Sequence, residues 1–122
     1  MPKQKTPDFP RSREIWLATM SGHSVIGGCR PVVIVGCDRD GGLVSVVPFS
    51  TELTYPQKLS HFFAQGQGLD GLSRGLAEHI TTLPRRALLR RTGRLSDPFD
   101  LLALDHALAL HLGLPVQSTT LF

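Results

Sequence analysis

The amino-acid sequence predicts an α+β domain in which a mostly antiparallel, strongly curved sheet precedes a short helix and a longer C-terminal helix. Short segments rich in valine, isoleucine and aromatic residues fill the first two thirds of the chain, as is typical of strands. Two of them flank the turn Asp38-Arg39-Asp40-Gly41-Gly42, a strong hairpin signal. Leucines at helical spacing dominate the final part of the chain. With 122 residues and 41% apolar content, the chain can build one compact core.

We expect this single domain to span residues 13–114. Residues 1–12 hold prolines among basic residues and should form a flexible basic N-terminal tail, and residues 115–122 should form a C-terminal tail. The N-terminal tail lacks the apolar segment of a secretory signal, and no apolar run approaches the ~20 residues of a membrane span. The sequence therefore predicts a cytoplasmic protein that does not enter a membrane.

The strands are predicted from apolar and β-branched runs that lie between turn-forming residues. The five predicted strands cover residues 14–19, about 30–36, 43–49, 59–64 and 76–82. A loop with three glycines separates the first two strands, and a second glycine-rich turn at residues 66–71 separates the last two. The hairpin turn requires the second and third strands to pair antiparallel.

A short helix is predicted next, because Pro84 suits the first turn of a helix that carries Arg85 to Arg90. A short strand at Gly93–Leu95 would separate it from the final helix.

The final helix has the clearest signals. Ser96 or Asp97 can cap its start, and Gly113 followed by Pro115 should end it. Its apolar stripe must pack on the sheet or on a second subunit, and the stripe consists of Leu101, Leu104, Leu108 and Leu112.

The two cysteines cannot form a disulfide within one chain. Cys29 and Cys37 bracket the second strand, which at ~3.3 Å per residue holds them roughly 26 Å apart. A disulfide needs Cα atoms within about 7 Å. Two free, structural thiols fit a reducing compartment.

The excess positive charge is concentrated in one segment. The formal charge is +3, and the clustered cations are Arg85, Arg86, Arg90, Arg91 and Arg94. A basic face of this kind is typical of a protein that binds a polyanion. A solvated surface whose arginines pair with the nearby Asp97, Asp100 and Asp105 explains the cluster equally well.

The hairpin places one cation beside two hydroxyl groups. Antiparallel pairing puts Arg30, at the start of the second strand, next to Ser50 and Thr51, at the end of the third. A guanidinium that stays charged, set beside hydroxyl groups on rigid elements, suits the binding of a phosphate.

These segments resemble the MazF/PemK (Kid) family of endoribonuclease toxins over about residues 13–114. The resemblance lies in Glu14-Ile15-Trp16-Leu17, in Arg30-Pro31 with its valine-rich strand, in Val47-Pro48-Phe49-Ser50, in Glu78-His79-Ile80-Thr81-Thr82 and in the ending Ala107 to Leu114. It implies a small SH3-like β-barrel of the CcdB/PemK type with a C-terminal helix, assembled as a homodimer. It also implies a cognate small acidic antitoxin as a partner.

The resemblance further implies cleavage of single-stranded RNA without metal or cofactor. In this family the ribose 2′-hydroxyl attacks its own phosphodiester, which leaves a 2′,3′-cyclic phosphate and a 5′-hydroxyl. The catalytic residues implied for this chain are Arg30, Ser50 with Thr51 beside it, the loop residue His23, and Glu78. Leu76 stands where some members carry an arginine.

The residues themselves add RNA-binding candidates. His61 lies among aromatic residues and could stack on a base or bind a phosphate. The other candidates are the basic residues Arg85, Arg86, Arg90 and Arg91. No His, Cys, Asp or Glu grouping has the spacing of metal ligands, so no metal site is expected.

Two other functions remain open at this point. The related CcdB group shares the fold but poisons gyrase, and it relies on a Trp-Gly-Ile C-terminus, whereas this chain ends in Leu121-Phe122. The third possibility is a catalytically inactive relative that only binds RNA.

Overall fold

The computed structural model describes residues 9–20, 27–40, 42–54 and 56–115. Within these ranges the chain forms seven strands and one α-helix. The strands are β1 (Glu14–Thr19), β2 (Cys29–Cys37), β3 (Leu43–Ser50), β4 (His61–Ala64), β5 (Ser73–Leu76), β6 (Thr81–Pro84) and β7 (Leu88–Arg94), and the helix is α1 (Pro98–Leu112). Short 3₁₀ turns precede β6 at Ala77–His79 and β7 at Arg85–Ala87.

The sheet is antiparallel and open. Its strand order is β4-β5-β3-β2-β1-β7, and β6 pairs separately with β3. The early part of β3 pairs with β6 and its last two residues pair with β5, so the sheet bends along this strand. The end strands β4 and β7 do not pair with each other in the part of the chain that the structure describes. The predicted curved antiparallel sheet with a C-terminal helix is therefore confirmed, whereas closure into a barrel is not observed.

Two of the predicted elements are wrong. The predicted strand at residues 76–82 is two strands, because Leu76 pairs with His61 of β4 while Thr81 pairs with Val46 of β3. A 3₁₀ turn separates them.

The predicted short helix at residues 85–90 is also wrong. Only Arg85–Ala87 form a helical turn, and residues 88–94 form β7 against β1. Pairing along the open edge of β1 overrides the local preference of this segment. The short strand predicted at residues 93–95 is the end of this longer strand.

The remaining elements agree closely with the prediction. The first three strands match to within one residue, and β4 begins at His61 rather than at residue 59. The Asp97 carboxylate caps α1 by accepting hydrogen bonds from the N–H groups of Phe99 (2.9 Å) and Asp100 (3.1 Å). Gly113 ends the helix with a left-handed φ of 70°.

Two apolar clusters cover the two faces of the central strands. One contains Ile15, Val33 and Val47 with Leu104 of α1, and the other contains Trp16 and its neighbours on the opposite face. Alternation of side chains along each strand produces this division. The helix thus packs on one face of the sheet, as one of the two predicted arrangements requires.

The outward side of α1 is also apolar. Phe99, Leu102 and Leu110 are exposed, Phe99 by 78%. No helix among the described residues is long and apolar enough to span a membrane.

Candidate active site

The Arg30 side chain bridges the start of β2 and the end of β3. Its Nε and Nη2 donate hydrogen bonds to the carbonyl oxygen of Gly27 at 3.2 and 3.1 Å. Its Nη1 donates to the carbonyl oxygen of Phe49 at 3.1 Å. These bonds hold the guanidinium in one orientation, which is the property that a preorganised anion site needs.

A cavity of about 250 Å³ lies beside this guanidinium. Its lining residues are Cys29, Arg30, Pro31, Phe49, Ser50, Thr51, Glu52 and Ser73. We call it the Arg30 cavity. The structure therefore brings together Arg30, Ser50 and Thr51, as the hairpin predicts, and it adds residues that sequence reasoning missed.

The two candidate hydroxyl groups differ in their surroundings. The Ser50 Oγ accepts a hydrogen bond from the N–H of Glu52 at 3.1 Å, and this bond shapes the chain that leaves β3. Thr51 is exposed and lines a second, neighbouring depression. The catalytic role expected for either hydroxyl stays a prediction.

Glu52 is the first residue that sequence reasoning missed. Its Oε1 accepts hydrogen bonds from the N–H of Thr54 at 3.0 Å and from the Thr54 Oγ1 at 2.6 Å. These bonds hold the pKa of the Glu52 carboxyl below its usual 4.5, so the group is ionised at neutral pH. Its position two residues after Ser50, in a loop beside the predicted phosphate site, was the available signal.

Arg74 is the second missed residue. It lies opposite Ser50 in the pairing of β3 with β5 and is only 3% exposed. Its guanidinium donates to the carbonyl oxygens of Leu53 (3.2 Å) and Pro56 (3.5 Å) and lies 5.2 Å from the centre of the Phe63 ring. Arg74 thereby anchors the loop that carries Glu52. The position of Arg74 in the sequence, just after a glycine-rich turn, gave no indication of this contact.

Glu78 and His61 are paired with each other instead of facing Arg30. The His61 Nε2 lies 2.7 Å from Glu78 Oε2, and the Ser60 Oγ donates to Glu78 Oε1 at 2.8 Å. Burial alone would raise the pKa of Glu78, but the hydrogen bonds from His61 and Ser60 outweigh it and hold this pKa below 4.5. Neither His61 nor Glu78 lines the Arg30 cavity.

The His61 ring is enclosed. Its side chain is 3% exposed, and its Nδ1 accepts the N–H of Lys58 at 3.1 Å. Nε2 therefore carries the ring hydrogen and donates it to Glu78. In this arrangement the ring offers no face to a base, so the roles expected for His61 and Glu78 stay predictions. The predicted catalytic histidine, His23, lies outside the described residues.

The arginine cluster divides into exposed and structural members. Arg86 and Arg90 are exposed, and the Arg85 guanidinium lies 4.6 Å from the centre of the Phe9 ring. Arg91 donates to Glu14 at 3.1 Å, and Glu14 is only 5% exposed.

The aspartates that follow the cluster have other partners. Asp105 accepts a hydrogen bond from Arg13 at 2.7 Å, and Asp100 accepts one from Gln67 at 2.8 Å. The interpretation of the cluster as a surface neutralised by these aspartates is weakened by both contacts.

Shared lining residues connect the cluster to the Arg30 cavity. A depression of about 620 Å³ shares Pro31, Thr51 and Ser73 with that cavity. It shares Arg90 and Arg91 with a third depression of about 440 Å³ that reaches Arg85. The Arg30 cavity and the depression of 620 Å³ together cross β3, β2, β1 and β7, and we call these two the basic groove, whose lining also contains Asp70. The third depression contains Trp16 and Leu88, which belong to the opposite face of the sheet, and it meets the groove only at the edge strand β7.

The basic groove has a defined register. Pro31 pairs with Leu17, and Leu17 pairs with Arg90, so these residues form one row across three strands. Neighbouring strands lie about 4.8 Å apart, which places Arg90 roughly 10 Å from β2 across the sheet.

Comparison with known proteins gives a consistent result. The family of PemK-like, MazF-like toxins of type II toxin–antitoxin systems matches residues 11–112. A probable endoribonuclease MazF of Mycolicibacterium smegmatis is 34% identical over 108 residues, which cover 85% of this chain and 97% of that protein.

Solved structures share the fold at lower identity. MazF from Deinococcus radiodurans superposes with a TM-score of 0.73 at 17% identity, covering 88% of this chain and 100% of that one. An endoribonuclease in complex with its cognate antitoxin, from a mycobacterial species, superposes with a TM-score of 0.69 at 24% identity, covering 87% and 97%.

Proposed function

The chain belongs to the PemK-like, MazF-like toxin family of type II toxin–antitoxin systems, and on that premise we propose that it is a metal-independent endoribonuclease toxin. Its substrate is single-stranded RNA, cut at selected sequences. The products are a 2′,3′-cyclic phosphate and a 5′-hydroxyl. The runner-up activities, gyrase poisoning and RNA binding without cleavage, have no specific observation in their favour.

The observation that carries this proposal is the orientation of Arg30. Its guanidinium is fixed by two carbonyl oxygens at the edge of a cavity that also contains Ser50 and Thr51. Attack of the 2′-hydroxyl adds negative charge to the phosphate in the transition state, and a fixed cation stabilises that charge without reorganisation. Ser50 or Thr51 then donates a hydrogen bond to a phosphate oxygen.

The basic groove supplies the path for the RNA on either side of the cut. Arg90 is exposed two strands away from β2, in the row of Pro31, the residue that follows Arg30, which suits contact with a phosphate next to the scissile one. Arg85 and Arg86, in the turn that precedes β7, add positive charge near the edge strand that carries Arg90. Phosphate contacts of this kind give affinity and register, and the sequence preference comes from the loops around the cavity.

The partners follow from the family. We propose that a small acidic antitoxin binds along the basic groove and blocks RNA, as an extended acidic segment is complementary to its charge. We also propose a homodimer, supported by the exposed apolar side of α1 with Phe99, Leu102 and Leu110.

The proposal is tested by incubating the purified protein with a long single-stranded RNA in excess EDTA. We expect cuts at a limited set of sequences, with cyclic-phosphate and 5′-hydroxyl ends. Intact RNA after prolonged incubation would refute the endoribonuclease assignment. Cleavage that EDTA abolishes and added Mg²⁺ restores would refute the metal-independent mechanism.

A further inference from the structure

We propose that Glu52 is the general base of this site, which takes the proton from the attacking 2′-hydroxyl. The inference rests on the proposed endoribonuclease function and assigns a role that neither the sequence nor the family resemblance suggested. The resemblance pointed to Glu78 instead.

The location of the two carboxylates distinguishes them. Glu52 lines the Arg30 cavity together with Ser50 and Thr51. Glu78 contacts His61 and Ser60 through both of its carboxylate oxygens. A general base must come within hydrogen-bond reach of the proton that it removes. Glu52, which lines the cavity that holds the fixed guanidinium, therefore suits the reaction better than Glu78, which is paired with His61.

The surroundings of Glu52 orient it for this role. Its N–H donates to Ser50, and its Oε1 is engaged by Thr54. We therefore assign the incoming proton to Oε2. Arg74 holds the carbonyl oxygen of Leu53, the next residue, so the loop behind Glu52 is anchored to β5. An oriented, ionised carboxylate on an anchored loop has the properties of a preorganised base.

The chemical step balances within the substrate and the protein. The 2′-oxygen forms a bond to phosphorus as its proton passes to Glu52 Oε2, while Arg30 stabilises the added charge on the phosphate oxygens. The bond from phosphorus to the 5′-oxygen breaks, and water at the open cavity protonates that oxygen. The Glu52 carboxylic acid then returns its proton to solvent, which restores the starting state.

The test compares Glu52→Gln with the wild type. The Gln side-chain oxygen can still accept from Thr54, so the substitution removes the charge and keeps the loop contacts. We expect kcat to fall by about 10²–10⁴-fold, the usual contribution of a general base, with KM within about threefold. The matched control is Asp38→Asn, which removes an exposed carboxylate at the opposite end of β2 and should cleave at the wild-type rate.

A substrate with sulfur in place of the scissile 5′-oxygen separates a base from an acid. A thiolate leaves without protonation, so such a substrate bypasses a general acid but still needs a base. We expect Glu52→Gln to remain slow on it. Recovery of the wild-type rate would overturn the assignment, since it would make Glu52 the acid.

Three further results are decisive. Glu52→Gln cleaving like the wild type would refute this inference and leave the endoribonuclease function intact. A larger loss in Glu78→Gln than in Glu52→Gln, with both proteins folded, would also refute it. Wild-type protein that fails to cut any RNA would refute the proposed function itself, and the inference would fall with it.

Discussion

Replacing Arg30 by alanine should remove most of the activity and little of the stability. The substitution deletes hydrogen bonds to two carbonyl oxygens, those of Gly27 and Phe49. With a net value of about 0.5–1.5 kcal/mol per bond, we expect the free energy of unfolding to fall by roughly 1–2 kcal/mol. The loss is limited because water can replace Arg30 at the carbonyl oxygen of the exposed Gly27. For a domain of this size each kcal/mol lowers Tm by about 4–8 °C.

The effect on cleavage should be larger than the effect on folding. Loss of one preorganised donor to a transition-state anion costs about 10²–10³-fold in rate, or roughly 3–4 kcal/mol. Arg30→Lys should recover only part of this, because a point charge cannot contact both Gly27 and Phe49 in the way that the planar fork does.

The assay measures initial cleavage of a short labelled RNA, with Tm recorded on the same samples. Arg39→Ala is the control, as it removes an exposed arginine from the β2–β3 turn at the other end of the sheet. A folded Arg30→Ala protein that cleaves at the wild-type rate would refute the reasoning. So would a loss of activity that merely parallels a collapse in Tm.

Three other predictions concern the cavity, the groove and the carboxylate that is paired with His61. Alkylation of the exposed Cys29 should block cleavage, because this residue lines the Arg30 cavity, and Cys29→Ser should protect the enzyme from the reagent. The exposed Cys37, at the far end of β2, serves as the control. Inhibition that persists in Cys29→Ser would contradict the location of the site. Arg90→Ala should reduce the slope of log affinity for RNA against log salt by about one, and an unchanged slope would remove this residue from the RNA path. Arg91→Ala should instead lower the unfolding free energy by about 1–2 kcal/mol, because it leaves the enclosed Glu14 without its ion pair. The loss stays this small because Arg91 itself is half exposed. Glu78 has a lowered pKa in the folded state, so its ionised form stabilises the fold above pH 4.5, and this effect is lost as the pH falls through the folded pKa. Urea titrations should show that the unfolding free energy of Glu78→Gln declines less steeply below pH 4.5 than that of the wild type. Parallel declines in the two proteins would contradict the pairing of Glu78 with His61.

The sequence predicted those features that depend on neighbours close along the chain. The Asp-Gly-Gly turn sets the pairing of β2 with β3, so the juxtaposition of Arg30 with Ser50 and Thr51 could be worked out from residues only about 20 apart. The ends of α1 were equally clear, because a cap is a contact between residues two or three apart.

Tertiary structure decided what depends on distant partners. Residues 76–82 divide between β5 and β6 because β4 and β3 bind different parts of the segment. Residues 88–94 extend because β1 offers an open edge. No local propensity contains this information, since a strand forms where a partner supplies its hydrogen bonds.

The surroundings of the two candidate carboxylates were decided in the same way. Glu78 and Glu52 look alike in the sequence, as single acids near predicted strands. In the fold, Glu78 receives hydrogen bonds from His61 and Ser60, while Glu52 lines the Arg30 cavity on a loop that Arg74 anchors. The sequence alone thus determined the fold class and the juxtaposition of Arg30 with Ser50 and Thr51. The packing of β4 and β5 against β3 determined that Glu78 pairs with His61 and that Glu52 lines the Arg30 cavity, because burial and hydrogen bonding act through space rather than along the chain.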